Sequence, residues 1–297
     1  MGDVMETAVL GKESISQAIE NNDAFKEIFN SQVQRIVSSP VRGERVRNLQ
    51  ASKIRFASSQ KPLGRMIIFF DAVWSTIEII VTTKDGAKPK RITQHFIEWV
   101  TEEKLLCLGM MADAGDCTFE VTRFHDSGNV DLSQVVEHLV RYVETLDFLF
   151  LQRACLTMGY TGHILHLLRR PHVIMVKNDV KTVGGPNTVT PGIIDSCLRR
   201  MANFVRLSIN TVEAEWPDYH LLQAFCILDL DVLTAPPAAE AGHNTQHDVW
   251  IERLSQCFGA ESGVLRGRLW IFIMLPYDLT VRCRKMTGQV GWLGKHR

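Results

Sequence analysis

VKTVGGPNTVTPGIIDSCLRRM, residues 180–201, sets a Gly-Gly-Pro-Asn turn directly before an amphipathic, arginine-bearing segment. If the glycines cradle phosphate at a helix start, the chain is a nucleotide-binding α/β protein. If they form only a turn and a cap, the chain is helical. A Walker loop needs a Lys-Ser/Thr after its glycines, so that a lysine and backbone N–H groups surround the phosphates. No such pair follows Gly184-Gly185. A dinucleotide fingerprint needs three spaced glycines between a strand and a helix, and only the pair is present. The glycines therefore read as the close of a turn that uses positive φ. Thr190 caps a helix whose first residue is Pro191, with Ile194, Leu198, Met201 and Val205 on its apolar face.

Immediately upstream, HVIMVKNDVKTVGG holds two short β-rich runs around Lys177-Asn178-Asp179, a hairpin signature. Elsewhere the period is helical. In DLSQVVEHLVRYVETLDFLF the apolar residues Leu132, Val135, Val136, Leu139, Val143, Leu146 and Phe150 recur at steps of three and four. TEEKLLCLGMMADAGDCTFEVTRF opens on Thr101 and an acidic first turn, which suits the positive end of a helix dipole. PLGRMIIFFDAVWSTIEIIV predicts one helix beginning at Pro62, and SISQAIENNDAFKEIFNSQVQRIV one helix weakened at Asn21-Asn22. The expected fold is mainly α, a multi-helix bundle or array of six to nine helices, with one small β-hairpin near residues 172–184. Four parts are expected: an N-terminal helical segment (1–48), a main helical domain (49–233), a linker (234–247) in the Pro/Ala/Gly-rich TAPPAAEAGHNTQ region, and short helices with an irregular tail (248–297).

Bulk properties narrow the class further. The 297 residues are 45% hydrophobic, enough for a substantial core. Thirty-three basic residues balance 33 acidic ones, so net charge points to no polyanionic or membrane partner. The seven cysteines, at 107, 117, 155, 197, 226, 257 and 283, are odd in number and scattered without a CxxC pair. They predict reduced thiols in an intracellular protein rather than a disulfide framework or zinc site. The N-terminus has no secretory pattern, and no apolar run approaches the roughly 18 residues of a spanning helix. No membrane association, cofactor or small-molecule substrate is expected.

Charge is nevertheless segregated. Residues 152–206 carry Arg153, Arg169, Arg170, Lys177, Lys181, Arg199, Arg200 and Arg206 against Asp179 and Asp195. Residues 35–65 carry eight cations, Arg55 among them, against Glu44 alone, whereas Glu213 to Glu252 holds eight acids and no Lys or Arg. Such blocks either form a footprint for a phosphate backbone or neutralise one another in the fold. Asp113 and Asp116, three apart on a helix, would face one side and could hold a divalent ion, although surface carboxylates at this spacing are usually only solvated. His243 and His247 have the spacing of two ligands but sit in the linker region. His163 and His166, with Arg169, Arg170 and His172, read as a basic helix end that complements the dipole.

Four segments in order, IRFASSQKPLGRMI, EEKLLCLGMMADAGDCTFEVTRFHDS, the run from LFLQRACLTMG to CLRRM, and VEAEWPDYHLLQAFCILDLDV, resemble the helical region of hAT-superfamily transposase-like proteins over about Arg35 to Val232. In that family an Arg-aromatic-x-Ser segment, here Arg55-Phe56-Ala57-Ser58, precedes an all-helical insertion that interrupts an RNase H-like core. The resemblance implies a transposase-derived module. The family's metal-binding acids lie largely in the core, and none maps onto a numbered position here. The expected function is non-catalytic: a hAT-like helical module that binds DNA or a protein partner. Nucleic-acid contacts are assigned to Arg55, Arg169, Arg170, Lys177, Lys181, Arg199 and Arg200. The alternatives are a degenerate metal-dependent nuclease or transposase remnant using Asp113 and Asp116, and a structural interaction scaffold.

Overall fold

The computed structural model describes residues 2–36, 56–83, 87–126, 132–176, 179–216, 219–228, 245–259 and 261–265. Their order is α1 (Gly2–Met5), a π-helical turn (Glu6–Leu10), α2 (Ile15–Asn21), α3 (Asp23–Ile36), α4 (Phe56–Ile68), α5 (Phe70–Thr82), α6 (Ala87–Trp99), α7 (Glu102–His125) and α8 (Leu132–Leu146). A second π turn (Asp147–Leu151) follows, then a 3-10 turn (Ala154–Leu156), α9 (Gly159–Leu167), β1 (His172–Val176), β2 (Asp179–Val183) and α10 (Pro191–Glu215). The described chain closes with α11 (Tyr219–Ala224), a 3-10 turn (Phe225–Leu228) and α12 (Thr245–Phe258). The fold is mainly α, with one two-stranded antiparallel hairpin among the described residues that pairs His172 with Val183 and Val176 with Asp179.

Twelve α-helices form among the described residues, more than the six to nine expected: α1, α6 and α11 fall outside the runs read as helical, and two of the runs are interrupted. The first breaks at Asn22, whose Oδ1 accepts the N–H groups of Ala24 and Phe25 and so starts α3 afresh. The second run does not begin at Pro62. Its first helix starts at Phe56 and holds Pro62 inside, and Phe69 (φ −101°, ψ 25°) divides it from α5. At the end of α5 the hydroxyls of Thr82 and Thr83 bond back to the Ile79 carbonyl, which helps to terminate a β-branched run.

The chain forms two compact units: residues 1–126 with 141–209, and 127–140 with 210–297. The first unit's core is built on Phe25, Met66, Phe70, Ile77, Phe96, Leu105, Leu106, Leu108 and Phe150, all fully buried. At roughly 1.5–3 kcal/mol per large apolar side chain, this burial is the main term favouring the unit. α7 runs through this core with both long faces covered: Leu105 to Met110 are buried without interruption. The second unit has a smaller cluster of Ala224, Ile227, Ile251 and Leu254. α8 shows the expected stripe from Val135 onward, the side chain of Leu132 lying outside the described residues. Val135, Val136, Leu139, Leu146 and Phe150 are buried, Val143 is half-buried, and Glu137, Arg141 and Glu144 are exposed. The stripe continues past Leu146 into the π turn.

Candidate functional site

Asp113 lies on the buried middle of α7, only 6% exposed. An ionisable group is seldom buried so far unless it is paired or fully hydrogen-bonded. Its carboxylate accepts the backbone N–H of Tyr160 (2.7 Å), the N–H of Thr161 (3.0 Å) and the hydroxyl of Thr161 (2.6 Å). These N–H groups belong to the first turn of α9, where no intrahelical partner exists. The residue at α9's own cap position, Met158, has no side-chain acceptor to offer. Asp113 therefore caps α9 from another helix, 47 residues earlier in the chain. The approach depends on Gly159. Its φ is +66°, and a Cβ there would stand 2.3 Å from Asp113 Oδ1.

Asp116, the second carboxylate, lies beside this junction. Its Oδ1 is buried without a hydrogen-bond partner. Burial raises the Asp113 and Asp116 carboxyls above the ordinary aspartate range, and for Asp116 the neighbouring Asp113 charge adds to the rise. The same environment pushes Tyr160, Cys117 and Cys155 each up to about 12, chiefly by burial. Asp113 and Asp116 thus do share a neighbourhood, but Asp113 is committed to a helix end by three hydrogen bonds. No three His, Cys, Asp or Glu side chains among the described residues are grouped to hold a metal ion. His243 and the side chain of His247 lie outside the described residues.

The glycine turn has the same structural character. Gly184 (φ +79°) and Gly185 (φ +121°) close β2, and Asn187 (φ +65°) follows them. A Cβ on Gly184 would stand 2.6 Å from the Arg170 carbonyl oxygen. The N–H of Gly184 is given to Glu102 Oε1 at 2.9 Å, and that of Gly185 to the Leu168 carbonyl at 2.9 Å. Two of the donors that a phosphate cradle would use are therefore bound to protein oxygens. Thr190 Oγ1 accepts the Ile193 N–H at 3.4 Å, a long cap bond at the start of α10.

The cations divide into two groups. Arg153 pairs with Asp195 (2.9 Å), Arg170 with Asp71 (2.5 Å) and Arg200 with Glu103 (2.7 Å). Arg169, Lys181, Arg199 and Arg206 have no ion pair among the described residues, and the three arginines are exposed. Arg55 and Lys177 lie outside the described residues. Lys181 is half-buried and stands opposite the buried Ile174, on the inward side of the hairpin. The outward side carries Val173, Met175, Val180 and Thr182, where the three apolar side chains are 44%, 64% and 56% exposed. His172 begins β1, as the hairpin run predicts, but it is buried with its ring edge-on to Phe70 and Trp74 rather than part of an exposed basic helix end. His163 and His166 are exposed on α9, and burial of part of the His163 ring lowers its pKa.

One constellation had no signal in the sequence. Cys107 on α7 and Cys197 on α10 are both buried, with sulfurs 3.5 Å apart. Spacing could not reveal them, because 90 residues separate the two and neither belongs to a CxxC motif. A buried cysteine on an apolar helix face is indistinguishable in sequence from any small core residue. No family model, curated protein or solved structure matches this chain.

Proposed function

We propose that this chain is a non-catalytic, hAT-like helical module that associates with nucleic acid through Arg169, Lys181 and Arg199. The observation that supports it is the division of the cations. Three are neutralised by carboxylates, whereas these three are left with no ion pair among the described residues. Uncompensated cations within one basic block of the sequence, here two exposed and one half-buried, are what a phosphate backbone uses, with or without base readout. The kinship itself rests on the order of the four sequence segments. The structural use of Asp113 and of the glycine turn favours the non-catalytic form of this function over a nuclease remnant.

Fluorescence anisotropy with a labelled duplex tests the proposal. Three phosphate contacts give a salt slope near −2.7, so affinity should fall roughly 40-fold between 50 and 200 mM salt. Replacing all three residues with alanine should remove that slope. Binding that is undetectable at 50 mM salt, or a slope unchanged in the triple variant, would refute it. A second function, protein association, is favoured by the uncharged outward strip of the hairpin, which two copies of the chain could bring together without like-charge repulsion. Sedimentation as a dimer that Met175→Lys dissociates would support that alternative.

A further inference from the structure

We propose that Cys107 and Cys197 form a peroxide-responsive dithiol that closes into an intramolecular disulfide and ties α10 to α7. The geometry carries it. Two thiols from helices 90 residues apart in sequence meet at 3.5 Å in a buried contact. A disulfide needs an S–S length of about 2.05 Å, so the sulfurs must approach by roughly 1.5 Å. Arg200 on α10 already holds Glu103 on α7 at 2.7 Å, one turn from each cysteine. The two helices are thereby registered with the thiols facing each other.

The surroundings make the two sulfurs unequal. Cys197 lies 3.6 Å from the Glu103 carbonyl oxygen. The contact with Cys197, aided by the charge of Arg200, lowers the Cys107 thiol to about 7 against the opposing effect of burial. Cys197 is pushed up by the same contact and by burial. In this proposal Cys107 is the attacking sulfur and Cys197 the resolving one. Cys117 and Cys155 are pushed up to about 12, chiefly by burial, and stay protonated.

Both thiols are at most 1% exposed, which favours an oxidant of water-like size over a bulky disulfide. With hydrogen peroxide the step balances. The Cys107 thiolate attacks one oxygen, the O–O bond breaks, and a sulfenic acid and hydroxide form. The hydroxide takes up the proton that Cys107 released. Cys197 sulfur then attacks the Cys107 sulfur, the S–O bond breaks, and the departing hydroxide takes the Cys197 proton. In total two thiols and one peroxide give one disulfide and two waters: the sulfurs lose two electrons and the peroxide gains them. Once the chain is opened by unfolding or digestion, a low-molecular-weight thiol reverses it by exchange.

The experiment treats the folded full-length chain with a small excess of hydrogen peroxide, blocks remaining thiols, and maps cross-linked peptides by mass spectrometry without reduction. The expected product is a Cys107–Cys197 peptide pair, two hydrogens lighter than the separate peptides, at least five-fold more abundant than any other linkage. It should vanish with dithiothreitol. The oxidised wild type should melt at a higher temperature than the reduced one, a difference lost in Cys197→Ala. In Cys197→Ala the sulfenic acid on Cys107 should persist and be trapped by dimedone. That trapping arm and the wild-type mapping do not depend on each other, so a poorly folded variant would not rescue the proposal. Preferential linkage of another cysteine pair, or over-oxidation of Cys107 in the wild type without cross-linking, would overturn it.

Discussion

Replacing Asp113 with alanine should destabilise the protein far more than removal of an ordinary surface carboxylate. A lost helix cap costs about 0.5–2 kcal/mol. Here the loss also strands the N–H and hydroxyl of Thr161, a residue with no exposed surface. Each buried group left without a partner costs about 1–3 kcal/mol. Against this, alanine removes a carboxylate that was itself costly to bury. The balance is about 3 kcal/mol. For a unit of this size that corresponds to a fall in Tm of roughly 6–12 °C. Asp113→Asn keeps the shape and one acceptor oxygen, but turns an amide NH2 toward the donors of α9, and should cost about 1–2 kcal/mol. The two variants also differ from the wild type in pH dependence. Burial raises the Asp113 carboxyl in the folded state, so the folded protein holds this proton more tightly than the unfolded chain does. That contribution to stability is fully present below the unfolded value of about 3.9 and is lost as pH rises through the higher folded value. Asparagine has no such proton. The gap between wild type and Asp113→Asn should therefore be widest near pH 4 and narrower at pH 7. Urea titration followed by helical circular dichroism, repeated across that pH range, measures both effects. A loss below 1 kcal/mol for Asp113→Ala with an unchanged m-value would refute the capping role, and a gap that widens as pH rises would show that the cap's hydrogen bonds outweigh burial in setting the Asp113 carboxyl.

Gly184→Val should cost at least about 2 kcal/mol, because a β-branched residue resists φ of +79° and its Cβ would meet the Arg170 carbonyl at 2.6 Å; a midpoint within error of wild type would contradict this. Thr190→Ala should cost only about 0.5 kcal/mol, the low end for a cap, since its bond to the Ile193 N–H is long at 3.4 Å; thermal denaturation reads the difference. Arg170→Ala should change stability by less than about 1 kcal/mol, because the arginine is 61% exposed and its pair with Asp71 is screened by water; a chemical-denaturation difference of 2 kcal/mol would show that the pair does more. Incubation of supercoiled plasmid with magnesium or manganese should produce no nicking above background, and nicking that disappears in Asp116→Ala would restore a catalytic role to these carboxylates.

The hairpin, the stripe on α8, the cap at Thr101 and the start of α10 were all legible before the structure, because each is written in residues within about one helical turn or one strand pair of each other. Thr101 Oγ1 accepts the Lys104 N–H three residues on, and the two β-rich runs pair across Lys177-Asn178 as their alternation requires. The breaks at Asn22 and Phe69 were less so. Asn22 has a local mechanism, its side chain capping α3. At Phe69 the backbone N–H and carbonyl still bond Arg65 and Val73, so the periodic pattern runs through the break unchanged.

Local sequence determined the helical class, the hairpin and its glycines, since periodicity, φ preference and capping act between near neighbours. Tertiary structure decided what the chemically suggestive side chains are for. Asp113 looked like half of a metal-binding pair, and became the cap of a helix that begins 46 residues later with a residue at its own cap position unable to serve. Arg153, Arg170 and Arg200 looked like three parts of a basic footprint, and each is held by a carboxylate from 42 to 99 residues away. Cys107 and Cys197 carried no signal at all, and stand in contact. In each case the role belongs to a pair, and the sequence separation between partners is set by the path of the chain through the core, which no local preference encodes.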